Sequence, residues 1–505
     1  MGQSSVHVKR IAKNTGIVYI RMVMLIIIAF YTSRVLLKTL GVNDFGVFSV
    51  VGSISATFVS IKSLFSESIQ RFLNVSKGKN SSDYKEQISI FNISIVIHLF
   101  LIIVFVIIVE IVGLWLLKTK LDIPPERYDA AVFVFQMSVL ATSIGILSIP
   151  YDAVIIANEK MGFYAAITVF DGLLKLLFVF LLPIIGHDYL KTYSLLLVFI
   201  PISTLLLQLL YSRRFKECSI NFKIEKGLFH DIFSLSSWNF YGNISFSLIH
   251  EGINILLNVF GGVVMNSARA IAYQVRAVTS QLSSNTMLAV RPFIMQKSAS
   301  LELLSFYDSI ITLSRLSFFT ILVPSSALIL FAPQLLAIWL EIVPDMATLF
   351  TQIVLFTILI RSLHEPLNIM YMSFGKVKRY LVIESIIMLF FLVIVFVTLK
   401  LGAPIWTPFI VLSIMEAVIV VAITYNAYVE IQFPLLQYYK RVIFPVLLLI
   451  AVSAMIMVPI YFLWSPTSII GSIGGVVVVC LIEVLLCYIF MEQKERNLLK
   501  GLIKR

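Results

Sequence analysis

The sequence predicts an all-α, polytopic membrane protein with about fourteen transmembrane helices. Three observations carry that reading. Of 505 residues, 59% are hydrophobic and only 13% are charged, with a mean hydropathy of +0.97. Apolar stretches of about twenty residues, the length that crosses a bilayer as a helix, recur along the whole chain. The basic residues between them fall on alternate connecting segments. A soluble chain is about one quarter charged and could not bury this much apolar surface. A chain solvated by lipid can.

Taken in order, the spans lie near 15–38, 45–70, 88–117, 130–157, 163–185, 189–211, 232–258, 264–290, 306–331, 346–372, 380–400, 404–428, 442–463 and 467–490. Lys9, Arg10 and Lys13 precede the first, as in a signal peptide. The run is long, however, and no small-residue cleavage site follows, so it reads as a retained helix. The eighth stretch is the least apolar. The connections are short, and none has room for a soluble domain. The longest, 212–231, holds Arg213, Arg214, Lys216, Lys223 and Lys226.

Orientation follows from the basic residues. One set of alternate segments, including both ends, carries 24 Lys and Arg, and the other set carries five. The positive-inside rule then places both termini in the cytoplasm, which requires an even number of spans. The formal net charge of +12 is thereby a topology signal and a contact for anionic lipid heads. It does not point to nucleic acid. Cys218 lies in the basic loop, while Cys480 and Cys487 share one apolar span. No metal-ligand spacing is present.

An internal repeat organises the chain. "LLKTLG" at 36–41 is echoed by "LLNVFG" at 256–261, a shift of 220 residues that pairs Leu36, Leu37 and Gly41 with Leu256, Leu257 and Gly261. Each copy ends a long span before a short outside turn, and each span is preceded by basic residues. Six spans per repeat give two lobes of parallel orientation about an axis along the membrane normal. The expected division is 1–211 for helices 1–6, 212–231 for a basic inter-lobe loop and 232–428 for helices 7–12. Residues 429–505 add two helices and a basic tail.

Polar side chains inside the spans mark the working parts. In "VMNSARAIAYQVRAVTSQLSSNTMLAV", Arg269, Tyr273, Arg276, Ser280 and Ser283 share one helical face. Such a face must meet water or protein rather than lipid. Glu67–Arg71, Asp171–Lys175 and Arg361–Glu365 have i,i+4 spacing and read as structural pairs. His98 reads as a hydrogen-bonded core residue. Arg34 and Lys38 are candidates for an outer rim, or snorkel to the outer interface. Asp152, Arg315, Glu384 and Glu416 stand singly, and His250 and Glu251 are adjacent. Arg21, Lys62, Arg269 and Arg276 have no acid at i±3 or i±4 and fall in the first two spans of their lobes. They are the candidates for lining a cavity. A cationic cavity suits an anionic ligand, and the arginine fork suits phosphate.

Enzyme motifs are missing. There is no Walker sequence, and His250-Glu251 lacks the second histidine of a zinc helix. A membrane glycan polymerase or transferase would need a sizeable outside loop, and none is present.

The segments "NTGIVYIRMVMLIIIAFYTSRVLLKTLGVNDFGVFSVVGSI" at 14–54, "SIPYDAVIIANEKMGFYA" at 148–165 and "INILLNVFGGVVMNSARAIAYQV" at 253–275 resemble bacterial polysaccharide-repeat flippases of the Wzx type. These serve O-antigen and capsule assembly within the multidrug/oligosaccharidyl-lipid/polysaccharide exporter superfamily. The resemblance covers the whole chain. It implies a fold like that of the multidrug and toxic-compound extruders, and a non-enzymatic transporter of the bacterial inner membrane. Its substrate would be undecaprenyl diphosphate carrying a short oligosaccharide, with the polysaccharide polymerase and chain-length machinery as partners. Cationic residues on helices one, two and eight of relatives line the cavity, which points to Arg21, Lys62, Arg269 and Arg276. Ion coupling, by H+ or Na+, carries over weakly to Glu251 and Asp152. No other cofactor is implied. The alternative is a cation-coupled multidrug exporter of the same fold.

Overall fold

The computed structural model describes residues 2–56, 59–79, 84–185, 187–221, 225–298, 303–463 and 468–497, and no strand occurs among them. The helices are α1 (Gly2–Ala56), α2 (Val59–Lys79), α3 (Tyr84–Thr119), α4 (Tyr128–Leu147), α5 (Ile149–Ala157), α6 (Met161–Ile185), α7 (Tyr189–Ser212), α8 (Lys226–Ser298) and α9 (Leu303–Leu330). They continue as α10 (Ala332–Trp339), α11 (Ala347–Ser362), α12 (His364–Ser373), α13 (Val377–Lys400), α14 (Thr407–Ile431), α15 (Leu435–Tyr438), α16 (Phe444–Leu463) and α17 (Ile469–Phe490). A π turn at Tyr439–Ile443 joins α15 to α16.

Among the described residues, twelve segments are long and apolar enough to cross a membrane. Two of them, Ile20–Ser55 and Ser247–Leu282, are each interrupted by a glycine outside helical geometry. Each therefore holds parts of two spans, which brings the count to the fourteen read from the sequence. Breaks within spans have local causes. The fourth span divides at Ser148 because Pro150 opens α5, where its missing N–H has no helical partner to lose.

The two glycines turn the chain back on itself. Gly41 has φ 74°, ψ 171° and Gly262 has φ 72°, ψ −177°, a region that is essentially restricted to glycine. At the second turn the reversal is measurable. Asn266 donates to the backbone oxygen of Asn254 at 2.7 Å and to its side-chain oxygen at 2.8 Å. Residues twelve apart on one straight helix would be separated by about 18 Å. Asn258 also donates to Asn266, at 3.0 Å. α8 is thus a hairpin of arms 226–261 and 263–298, and α1 bears the same backbone signature between arms 2–40 and 42–56.

This corrects the register of the repeat. The matching turns are Gly41 and Gly262, a shift of 221 rather than 220, because Gly262 and not its neighbour Gly261 takes the positive φ. In the corrected register Val42 matches Val263, and Gly46 matches Ser267. The contact between the hairpins is then reciprocal. The Ser267 hydroxyl donates to the Val42 carbonyl at 2.5 Å, and a side chain at Gly46 would lie 1.9 Å from the Val263 carbonyl. Each turn offers a small residue to the backbone of the other, which permits an approach that larger residues forbid.

Contacts divide the chain into two compact units, Met1–Ser267 and Ala268–Arg505. In the first, α1 packs on α6 and α4, α4 on α7, and α2 on α5. Gly172 of α6 admits Leu25 and Ile28 of α1. The turn end of this unit is tied by Arg127, which pairs with Asp44 at 2.6 Å and Asp188 at 3.0 Å. Asp188 also caps α7 through the N–H groups of Leu190 and Lys191. Burial acts to raise its carboxyl, but Arg127 and the cap outweigh burial and hold it below the usual value.

In the second unit, α9 packs on α11 and α17, and α14 on α11 and α13. The segment after α17 is fastened by ions. Buried Arg315 pairs with buried Glu495 at 2.7 Å, and Arg441 pairs with Asp308 at 2.7 Å and with Glu492 at 2.5 Å. The added pair of helices is therefore docked onto α9 at its polar end as well as through the apolar contacts of Phe331, Met457 and Val479.

Candidate functional site

In the second unit the stretch from Ala268 onward forms the membrane arm that the sequence marks as unusual. Arg269 and Arg276 are one heptad apart, with Tyr273 between them. The Arg269 guanidinium lies 4.0 Å from the centre of the Tyr273 ring, and that of Arg276 lies 5.1 Å from it. One tyrosine thus gathers two cations, each interaction worth about 0.5–2 kcal/mol. Phe409 of α14 backs the ring at 6.5 Å. Arg269 is 5% exposed and Arg276 is half-buried.

Arg276 sits in the field of Arg361 and Glu416. Arg361 of α11 is engaged across helices, donating to Glu416 of α14 at 2.7 Å and lying 3.8 Å from Glu384 of α13. Two of the acids that stand singly in the sequence, Glu384 and Glu416, are thus brought to one place. Beside them the His364 ring meets the Tyr380 hydroxyl at 2.6 Å, both side chains being buried.

In the first unit, Arg21 is half-buried on α1, with its guanidinium 5.2 Å from the Tyr164 ring of α6. Lys62 lies on α2, but its side chain falls outside the described residues, as does that of Glu67. Asp152 of α5 is buried and accepts from Gln208 at 2.6 Å. Glu251 is half-buried next to buried His250; Arg34 is half-buried and Lys38 exposed on α1. His98 is fully buried and bonds to the Ser94 carbonyl at 2.6 Å, the core role expected of it. A cavity of about 520 Å³ opens in this unit, walled by Phe48, Ser55, Thr142, Lys175, Asp171 and Thr204, with the Thr204 hydroxyl donating to Asp171. Tyr164 is one heptad before Asp171, so Arg21 lies over the same face of α6, two turns away.

Sequence reasoning missed two polar constructions. The first is the asparagine ladder of the α8 hairpin. Asn258 accepts from the Asp122 backbone N–H at 2.7 Å, and Asn254 donates to the Ser49 carbonyl at 3.1 Å, which fastens the hairpin to 120–122 and to the second arm of α1. The i,i+4 spacing of Asn254 and Asn258 was the available signal. The second is Glu217, an acid within the basic 212–231 loop. It is buried, accepts from Asn158 at 2.6 Å, and pairs with Lys77 at 3.0 Å. Burial pushes its carboxyl up, but these hydrogen bonds prevail and hold it below the ordinary 4.5. The docked loop raises the adjacent Cys218 thiol to about 12, by burial and then by the Glu217 charge.

Two outcomes follow. Glu217→Gln should lower stability by about 2 kcal/mol, the weight of charge-assisted hydrogen bonds, measured as a shift in detergent unfolding. Because the folded carboxyl titrates low, this docking is present above about pH 4.5. It should be lost as pH falls through the lower folded value, read as faster hydrogen exchange in 212–221. Cys218, for its part, should resist maleimide at pH 8 until the protein is unfolded, since the thiolate is the nucleophile.

No protein-family model matches the chain, and no curated protein matches it. Solved structures do match in fold. The chain superposes on the lipid II flippase MurJ in an inward closed conformation with a TM-score of 0.71 at 15% identity, covering 95% of this chain and 99% of that one. It superposes on an inward-facing multidrug resistance transporter of the MATE family, within the MOP superfamily, with a TM-score of 0.57 at 12% identity, covering 83% and 96%. A MOP superfamily transporter from Pyrococcus furiosus, described as having a binding pocket of reversed polarity that suggests a different function, gives 0.52 at 11% identity over 83% and 93%. The chain has the fold of these multi-pass membrane proteins.

Proposed function

We propose that the chain is a flippase for polyprenyl-diphosphate-linked oligosaccharide repeats in the bacterial inner membrane. In this reading it carries undecaprenyl-diphosphate glycans for O-antigen or capsule from the cytoplasmic to the outer leaflet, by alternating access. The observation that carries it is the clamp of Arg269 and Arg276 about Tyr273 within a membrane arm. A diphosphate leaving the interface needs charge-assisted partners, and guanidinium forks supply them while the lipid tail stays in the bilayer. Arg21 and Lys62 are assigned to the same head group. Glu251 and Asp152 are assigned to coupling or gating, and Arg34 and Lys38 to the outer rim. Both termini face the cytoplasm, and the lobes are 1–211 and 232–428. The reciprocal Gly46–Val263 and Ser267–Val42 contacts then close the outer end, and release outside requires them to part.

One observation favours a second reading. The first-unit cavity carries Asp171 beside Lys175 on its wall, a carboxylate that a cation-coupled drug exporter would use toward a small cationic compound. The two readings separate in cells depleted of the protein. The flippase reading expects lipid-linked glycan to accumulate where an impermeant lectin cannot reach it, with no change in drug sensitivity. Drug sensitivity without accumulation would favour the exporter.

A further inference from the structure

The first-unit cavity of about 520 Å³ is walled by the second arm of α1 and by α4, α6 and α7. Its volume falls within the range of small-ligand sites. Asp171 and Lys175 stand on the α6 wall, one turn apart. Charged side chains turned toward hydrocarbon are costly, so this space is built for polar contents. Lys175 repels a net cation, and Asp171 repels a net anion. An uncharged ligand rich in hydroxyls meets neither objection.

The rest of the wall offers hydrogen-bonding groups that the helices do not use. A helical Ser or Thr hydroxyl can donate back to a carbonyl one turn earlier, as Ser143 of α4 does to Val139 at 2.8 Å. Ser138 and Thr142, one turn apart on the cavity face of the same helix, have no side-chain hydrogen bond among the described residues. On α7, Pro201 has no N–H to give the Leu197 carbonyl one turn earlier, and both residues line the cavity. Thr204, on the same face, donates to one oxygen of Asp171. An ionised carboxylate accepts at more than one position, and a lysine ammonium carries three donors. Phe48, whose ring centre lies 5.3 Å from that of Tyr193, adds an apolar face. A side-chain carbon added at Gly145, on the α4 wall, would meet nothing within 4 Å, which shows the room available. Donors and acceptors set around an aromatic face match a pyranose ring, with its rim of hydroxyls and its apolar C–H faces.

We infer that this cavity seats a sugar ring of the carried glycan, with Asp171, Ser138 and Thr142 on its hydroxyls and Phe48 against a C–H face. The inference rests on the flippase reading and extends it from the diphosphate to the glycan. The placement suits a single ligand. Arg21, assigned to the diphosphate, lies over Tyr164, and Tyr164 precedes Asp171 by one heptad, about 10 Å along α6. One face of α6 then serves the diphosphate end and the sugar end together.

The test is titration calorimetry of the purified full-length protein with short-chain prenyl diphosphates. Three probes carry glucose, galactose or N-acetylglucosamine, and the fourth carries a methyl cap in place of the sugar, so that all have the same phosphate charge. Wild type should bind at least one sugar probe about tenfold tighter than the capped probe. The Ser138→Ala/Thr142→Val double variant removes two hydroxyls that bond nothing in the protein. It should melt like wild type, bind the capped probe unchanged and lose most of the sugar gain. Gly145→Leu, which fills the cavity, should abolish the gain. Equal binding of all four probes by wild type, or a full sugar gain in the double variant, overturns the inference and leaves the flippase reading standing. No binding of any probe overturns both.

Discussion

Glutamine at Arg269 or at Arg276 is expected to cut delivery of lipid-linked glycan to the outer leaflet by about ten- to a hundredfold. Loss of a charge-assisted hydrogen bond is worth about 1.5–3 kcal/mol, and each 1.4 kcal/mol is tenfold. The amount of inserted protein should stay near wild type, because glutamine keeps a polar side chain at the position and the other cation stays on the Tyr273 ring. Lysine should rescue in part, since it keeps the charge but lacks the two-pronged fork. Glutamate should be the most damaging, because it repels the diphosphate. Normal surface glycan from both glutamine variants at normal expression would make these arginines structural and remove the anionic-ligand assignment.

Gly46→Ala is the second large effect. The added methyl carbon would lie 1.9 Å from the Val263 carbonyl and 2.9 Å from the Ser267 hydroxyl, and the nearer atom is backbone that cannot swing aside. The two hairpin arms must separate. The expected cost is about 1–3 kcal/mol of stability, as for other overpacked contacts, together with loss of transport because the outer end no longer seals. Gly52→Ala on the same arm is the control, since nothing lies within 4 Å of its added carbon. It should be neutral or stabilise by about 0.5–1 kcal/mol. Equal transport by the two variants would mean that the reciprocal contact has no part in closure.

The fold was legible because lipid imposes one rule, about twenty apolar residues per crossing, and the chain obeys it almost everywhere. The repeat was legible only to within one residue. Gly261 and Gly262 are adjacent, and sequence alone does not say which one takes the positive φ. Arg269 and Arg276 stood out because two cations a heptad apart on an apolar arm have no cheap explanation. The partners of Arg361 were hidden for a different reason. Glu384 and Glu416 lie on other helices, and a search at i±4 sees only one. Glu217 was hidden by composition, an acid in a basic segment that reads as solvated loop, while its burial depends on Lys77 and Asn158 far away in sequence.

Carriage of a lipid diphosphate across the bilayer by a cationic arm is the core of the proposed function. Its most direct measurement uses proteoliposomes loaded on one leaflet with a prenyl-diphosphate-linked oligosaccharide. An impermeant glycosidase then reports the fraction reaching the other leaflet. Vesicles with wild-type protein should convert the hidden pool, and vesicles with the Arg269→Gln/Arg276→Gln double variant should match protein-free vesicles. Conversion at equal rates by wild type and the double variant, or none above the protein-free rate with wild type, would contradict it.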